Sequence, residues 1–171
     1  MPWNFFNLFP GDPGITQTVN AIKQAVNYGI HCHEIRCRAE TIVASCAERD
    51  EDCEIRTIFT WTQNHYRYLR DPRGIEYVKS PEISDAEISK TGSFSGDCDD
   101  IVTYMGALLK SIGYPVRAVV ISVPGKGDEF RHIFLRVYKS QARKWVTLEC
   151  TSRTKPIGWQ APSVREREYD L

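Results

Sequence analysis

Ile101, Tyr104, Met105, Leu108, Leu109 and Ile112 recur at intervals of three and four residues, the spacing of one apolar face of a helix. Gly113 closes that face and Pro115 stands just beyond it, as at an ordinary helix C-terminus. Three β-rich segments follow directly: VRAVVISV (116–123), FRHIFLRVY (130–138) and KWVTLEC (144–150). The spacers between them, PGKGDE and KSQAR, are turn material. Connections that short make neighbouring strands antiparallel. With helices upstream and a meander downstream, the chain reads as α+β, a helix packed on an antiparallel sheet.

Upstream, Ile15, Val19, Ile22 and Val26 predict a helix over 15–28 that Gly29 ends. A second helix is expected over 33–48, with Ile35, Ala39, Ile42, Val43 and Cys46 on one face. ERDEDCE reads as a turn whose acids suit the N-terminus of the next helix. That helix carries Ile55, Ile58, Phe59, Thr62 and Tyr66 and is expected to stop before DPRG, where Pro72 and Gly74 break it. Residues 75–95 read as irregular and polar. The tail from Ser152, with Pro156, Gly158 and Pro162, reads as extended along the surface or partly disordered. The whole is one domain: an N-terminal helical segment (1–53) packed on the core, the core itself (54–152) and a C-terminal tail (153–171).

Lys plus Arg (22) equals Asp plus Glu (22), so nothing global points to nucleic acid or to an anionic membrane. No apolar run approaches the roughly 18 residues of a membrane span, and MPWNFFNLFPGDPG lacks the layout of a signal peptide. The expected compartment is the cytoplasm. The six cysteines are accordingly expected to be reduced. HCHEIRC (31–37) holds two histidines and two cysteines, but no CxxC pair accompanies it, so no metal or organic cofactor is expected. WNFFNLF near the start is a candidate docking segment for a protein partner.

The chemistry concentrates in GDCDD (96–100). With Asp97 as N-cap, Cys98 is the first helical residue and Asp100 the third, so both carboxylates are expected on free N–H groups of the helix start. The helix dipole lowers a thiol pKa there, but it offers only about 0.3–1 kcal/mol at an exposed end, and three acids oppose it. A reactive Cys98 therefore needs an imidazolium partner. His31 and His33 flank Cys32, and His65 lies late in a helix; all three read as structural or exposed. His132 stands near the start of a strand, on the face of Phe130 and Phe134, and Glu149 at the end of the next strand can hold its second nitrogen. Read from the residues alone, a packing role for all three is an equal alternative.

GDCDDIVTYMGALLKSIGYPVRAVVI, followed by RHIFLRVY and KWVTLECT, resembles the transglutaminase-like superfamily, whose members show GDC-D, H-x-x-x-x-V and W-x-x-L-D-x-T blocks in this order. IRTIFTWTQNHYRYLRDP resembles the helix preceding the core in that family, so the likeness covers roughly 54–152. It implies a papain-like fold and a Cys–His–Asp triad performing acyl transfer at amide bonds of a peptide or protein. Carried over, Cys98 is the nucleophile and His132 the base. Glu149 stands where the family usually has Asp, and Cys150 where it often has Pro or Ala. The extra methylene of Glu149 displaces its carboxylate enough to cost catalysis unless corrected. The Cys98 N–H is one expected oxyanion donor, with Ser93 or Ser95 as a candidate for the second. Hydrolysis is expected ahead of transfer, since no second domain is visible to shield an amine acceptor. The rival expectation is a catalytically silent structural or binding module, such as a phage virion or assembly component.

Overall fold

In the structure, a computed structural model, the described residues are 11–72, 75–125 and 127–171, together with the backbone of 3–7. The elements run β1 (Trp3–Asn7), α1 (Asp12–Gly29), α2 (His33–Val43), α3 (Glu51–Asn64), β2 (Tyr66–Tyr68), β3 (Ile75–Lys79), α4 (Pro81–Thr91), β4 (Phe94–Gly96), α5 (Cys98–Ser111), β5 (Val116–Ser122), β6 (Phe130–Lys139), β7 (Lys144–Leu148) and β8 (Arg165–Asp170). The α+β class and the antiparallel meander of β5, β6 and β7 follow the apolar periods of the sequence. The side chains of the WNFFNLF docking segment lie outside the described residues.

α5 is the axis of the fold. Its expected apolar stripe is buried from Ile101 to Leu109, with Ile112 partly buried at the C-cap, and so are Val102, Thr103, Gly106 and Ala107 on its other sides. β5 and β6 cover one side, and α1, α2, α3 and α4 pack around the rest. Close approach depends on small residues. A Cβ at Gly29 would lie 2.7 Å from Pro81 Cγ and 3.0 Å from Ala107 Cβ. A single core cluster extends from Val19 in α1 to Leu171 beyond β8.

Several local expectations are corrected. α2 ends at Val43 and α3 at Asn64, so Tyr66 belongs to β2. Residues 75–95 are not irregular: they form β3, α4 and β4. β3 pairs with β1, a partner some seventy residues away (Trp3↔Lys79), which local propensity cannot reveal. The buried positions of α4 are Pro81, Ser84, Asp85 and Ile88, half of them polar, so no apolar period marks it. Pro81 opens that helix, and Gly92, at φ 82°, stops it.

The tail is extended, but ordered as β8, the fourth strand of a sheet in the order β7-β6-β5-β8. Its approach covers Val119, Ile121 and Phe134 with Ala161. Cys46 and Cys53, expected reduced, form a disulfide, because the turn between α2 and α3 brings their Cα atoms to 5.7 Å. In HCHEIRC, Cys37 Sγ lies 3.3 Å from His33 Nε2, while Cys32 Sγ donates to the Tyr28 carbonyl. No described helix is long and apolar enough to cross a membrane.

Candidate active site

The start of α5 is held from three sides. Asp97 is its N-cap and accepts from the Asp99 N–H at 3.3 Å, and the backbone N–H of Asp71 lies near its carboxylate. Asp100 was expected on an N–H of the helix start, but its Oδ1 accepts from the Lys79 N–H of β3 at 2.7 Å. Any side chain at Gly96 would overlap the Asp100 carboxylate. β4 runs parallel to β2, with the Leu69 N–H donating to the Gly96 carbonyl at 2.7 Å. Lys79 Nζ bonds Glu87 and the Ser95 carbonyl, tying β4 to α4.

Cys98 is the first residue of α5 and is partly buried. β7 pairs with β6 only from Leu135↔Leu148 onward, so the edge of β6 is open at Ile133. The Ile133 N–H lies near the Cys98 sulfur and favours its charged form. Burial pushes the thiol well above its ordinary pKa and the Asp97 carboxylate adds to the rise, while the Ile133 N–H opposes it. These surroundings favour the protonated thiol, in line with the sequence reading that the helix dipole alone does not ionise it.

On β6 the pairing with β5 slips by one residue, from Ile121↔His132 to Ser122↔Phe130, leaving Arg131 as a bulge. The bulge corrects the expected shared face. Phe130 joins the core with Ile133 and Leu135, whereas Phe134, its ring centroid 6.3 Å from that of His132, packs with Val119 and Ile121. His132 Nε2 lies 2.6 Å from Glu149 Oε2. Glu149 is 1% exposed, and its other oxygen accepts from the Thr151 hydroxyl at 2.5 Å and the Thr151 N–H at 3.2 Å. Both oxygens of this carboxylate are thus committed, and Nδ1 is the ring nitrogen left for other partners.

Cys98 and His132 line one cavity of about 200 Å3. Glu76 from β3 and Asp97 and Asp99 from the α5 start also line it. Burial lifts the carboxyl of Glu76 to about 7, helped by Asp97 and Asp71. It does the same to Asp97, again to about 7, with Asp71 adding. Carboxylate oxygens of Asp97, Asp99 and Asp100 lie within 4.8 Å of one another, a spacing a cation could bridge. Ser93 and Ser95 are not among the described residues lining the cavity. The Ser93 carbonyl accepts from Thr91, and the Ser95 N–H donates to Glu87.

Three residues escaped sequence reading. Thr151 was visible in KWVTLECT, in which the family-like block ends on Thr, but its role was not assigned. Glu76 and Tyr66 carried no signal. The Tyr66 hydroxyl is buried without a hydrogen-bond partner among the described residues. Burial raises its pKa, with the Cys98 sulfur as the next largest influence. His31, His33 and His65 do not line the cavity; His65 Nδ1 lies 2.8 Å from the Trp61 carbonyl, and the two rings stack. Cys150 is packing, its sulfur 3.3 Å from Met105 Sδ.

Comparison with known proteins identifies the architecture. The profile described as the transglutaminase-like superfamily matches residues 38–160. Among solved structures, a chain from the Rad4/XPC nucleotide excision repair complex is 14% identical with a TM-score of 0.56, covering 91% of this chain and 45% of that one. A candidate protease from Parabacteroides distasonis is 11% identical with a TM-score of 0.51, covering 82% and 27%. A candidate cysteine protease from Cytophaga hutchinsonii is 12% identical with a TM-score of 0.50, covering 99% and 63%. The chain thus spans less than two thirds of each of these relatives, and at such identities the likeness concerns the fold. Among curated proteins, none matches the chain in sequence.

Proposed function

The chain belongs to the transglutaminase-like superfamily, and from that premise we propose that it is a thiol-dependent enzyme acting on amide bonds of a peptide or protein. The observation that carries the reading is the 2.6 Å contact of His132 Nε2 with Glu149 Oε2, beside a cavity that Cys98 also lines. Glu149 fixes the tautomer with Nε2 protonated and leaves Nδ1 as the basic nitrogen, the one that serves the thiol in this reading.

In this reaction Nδ1 takes the Cys98 proton as Sγ attacks the carbonyl carbon. With burial and Asp97 favouring the protonated thiol, proton transfer and attack proceed together rather than from a preformed ion pair. The oxyanion forms at the helix start, stabilised by the Cys98 N–H and the Tyr66 hydroxyl. The imidazolium then protonates the departing amine, leaving a thioester on Cys98. Water, deprotonated by Nδ1, attacks the thioester and frees the acid and the thiol; an amine in place of water gives transfer. Glu149 does the work of the family's Asp, with Thr151 holding the longer side chain in place.

The test is acylation by p-nitrophenyl acetate followed by peptide mapping. An acetyl group on Cys98, formed rapidly in the wild type and slowly in His132→Ala, is the expected result. Acetylation that is equal in both proteins would overturn the reading and favour a silent module, for which the burial of Cys98 beside Asp97 is the supporting observation.

A further inference from the structure

The cavity at Cys98 has both an acidic and an apolar lining. Glu76, Asp97 and Asp99 supply the carboxylates, and Ile15, Val19, Val120 and Phe130 the apolar wall. The acids come from separate elements, β3 on one side and the start of α5 on the other, so the fold brings their charge together. Asp99 is 2% exposed, and neither of its carboxylate oxygens has a hydrogen-bond partner among the described residues. Among the described residues, the Glu76 carboxylate has the Thr18 hydroxyl as its hydrogen-bond partner, at 3.4 Å.

Buried carboxylates without counter-charges are strongly unfavourable. Of the positive groups nearby, Arg131 pairs with Glu129 at 2.6 Å and His132 is held by Glu149; Arg70 and His132 favour the Asp97 carboxylate but are outweighed by burial and Asp71, and no cation is among the main influences on Glu76. Burial and acidic neighbours lift Glu76 and Asp97 to about 7, the direction expected of carboxylates gathered in a buried site.

We propose that this cavity is a binding site for an organic cation, the ammonium or guanidinium of a basic substrate side chain, with Glu76 and Asp97 as its counter-charges and the apolar wall receiving its methylene stem. A metal ion would use the carboxylates but has no use for the wall; a lysine or arginine side chain uses both. The proposal rests on the acyl-transfer reading for the bound molecule being a substrate. It then assigns the enzyme to peptides carrying a basic residue beside the scissile carbonyl. Cation binding also neutralises Asp97, the carboxylate that helps hold the Cys98 proton in place, so the correct substrate prepares its own nucleophile.

Calorimetric titration with butylguanidinium chloride tests occupancy without turnover, with neutral butylurea, CaCl2 and MgCl2 at matched ionic strength as comparisons. Saturable binding of butylguanidinium, with butylurea at least about tenfold weaker, is expected, as is an equal loss in Glu76→Gln. Equal binding of butylguanidinium and butylurea, or binding of Ca2+ or Mg2+ alone, would overturn the proposal, and the wild-type comparison decides this even if the variant fails to fold. The second arm compares cleavage of peptides with lysine, norleucine or glutamate beside the amide. Turnover with no preference for lysine would sink the proposal and leave the acyl-transfer reading standing. Butylguanidinium binding without any acylation of Cys98 would sink that reading and leave the cation site.

Discussion

Thr151 Oγ1 stands 2.5 Å from Glu149 Oε1, while Oε2 of the same carboxylate reaches His132 Nε2 at 2.6 Å. The acid is therefore gripped at one oxygen so that the other can orient the ring. Thr151→Val keeps the volume and removes the hydroxyl. Its acylation rate with p-nitrophenyl acetate is expected to fall by between about tenfold and about a hundredfold, with Thr151→Ser restoring most of it. Unchanged kinetics in the valine variant would show that Glu149 holds its place without help.

Tyr66→Phe removes one hydroxyl that has no hydrogen-bond partner among the described residues, so thermal stability is expected to hold or rise. If that hydroxyl meets the oxyanion, the acylation rate falls by about 10²–10³. A normal rate would leave the Cys98 N–H seeking another helper.

Asp97 and burial together hold the Cys98 proton. Alkylation by iodoacetamide, read at Cys98 by peptide mapping, is expected to be slow at neutral pH and to keep rising beyond pH about 8.5, the ordinary cysteine value. Asp97→Asn retains an N-cap and removes the charge, so it should accelerate labelling several-fold at pH 8. Labelling of wild-type Cys98 that plateaus well below 8.5 would contradict the buried, acid-flanked thiol.

Glu76 has its carboxyl raised from 4.5 to about 7 by burial, with Asp97 and Asp71 facing it. A carboxyl raised on folding binds its proton more tightly in the folded state. Its stabilising effect is therefore complete below 4.5 and is lost as pH rises through about 7. Glu76→Gln, which cannot ionise, should melt a few degrees above the wild type at pH 8 and close to it at pH 4.5. The same difference at both pH values would point to packing rather than charge.

Gly29→Ala places a methyl 2.7 Å from Pro81 Cγ and 3.0 Å from Ala107 Cβ. Forcing α1 away from α4 and α5 is expected to cost about 1–3 kcal/mol. Thermal denaturation reads this as a drop of roughly 2–4 °C per kcal/mol in a chain of this size. An unchanged melting temperature would mean that the helices separate freely.

How legible the molecule is from its residues depends on the range of the forces involved. The α5 face and the strands β5, β6 and β7 show because burial imprints a period on neighbouring residues. β3, α4 and β4 do not. Lys79 finds its strand partner at Trp3, and Ser84 and Asp85 are buried polar positions that leave no apolar rhythm. The same limit divides the site. Asp97 as N-cap is a local relationship and can be read from GDCDD, whereas Asp100 is claimed by the distant backbone of Lys79 and could not be foreseen. The convergence of Glu76 and Tyr66 on Cys98 belongs to tertiary structure alone.

The bulge at Arg131 has a wider consequence, because in a strand one residue decides parity. Upstream of it Phe130 looks inward; downstream of it the imidazole is delivered to the opposite side, within reach of Glu149. Shortening β6 by that one residue would leave every neighbouring side chain intact yet put each at the wrong address. Along this strand, the count of residues matters as much as their identity.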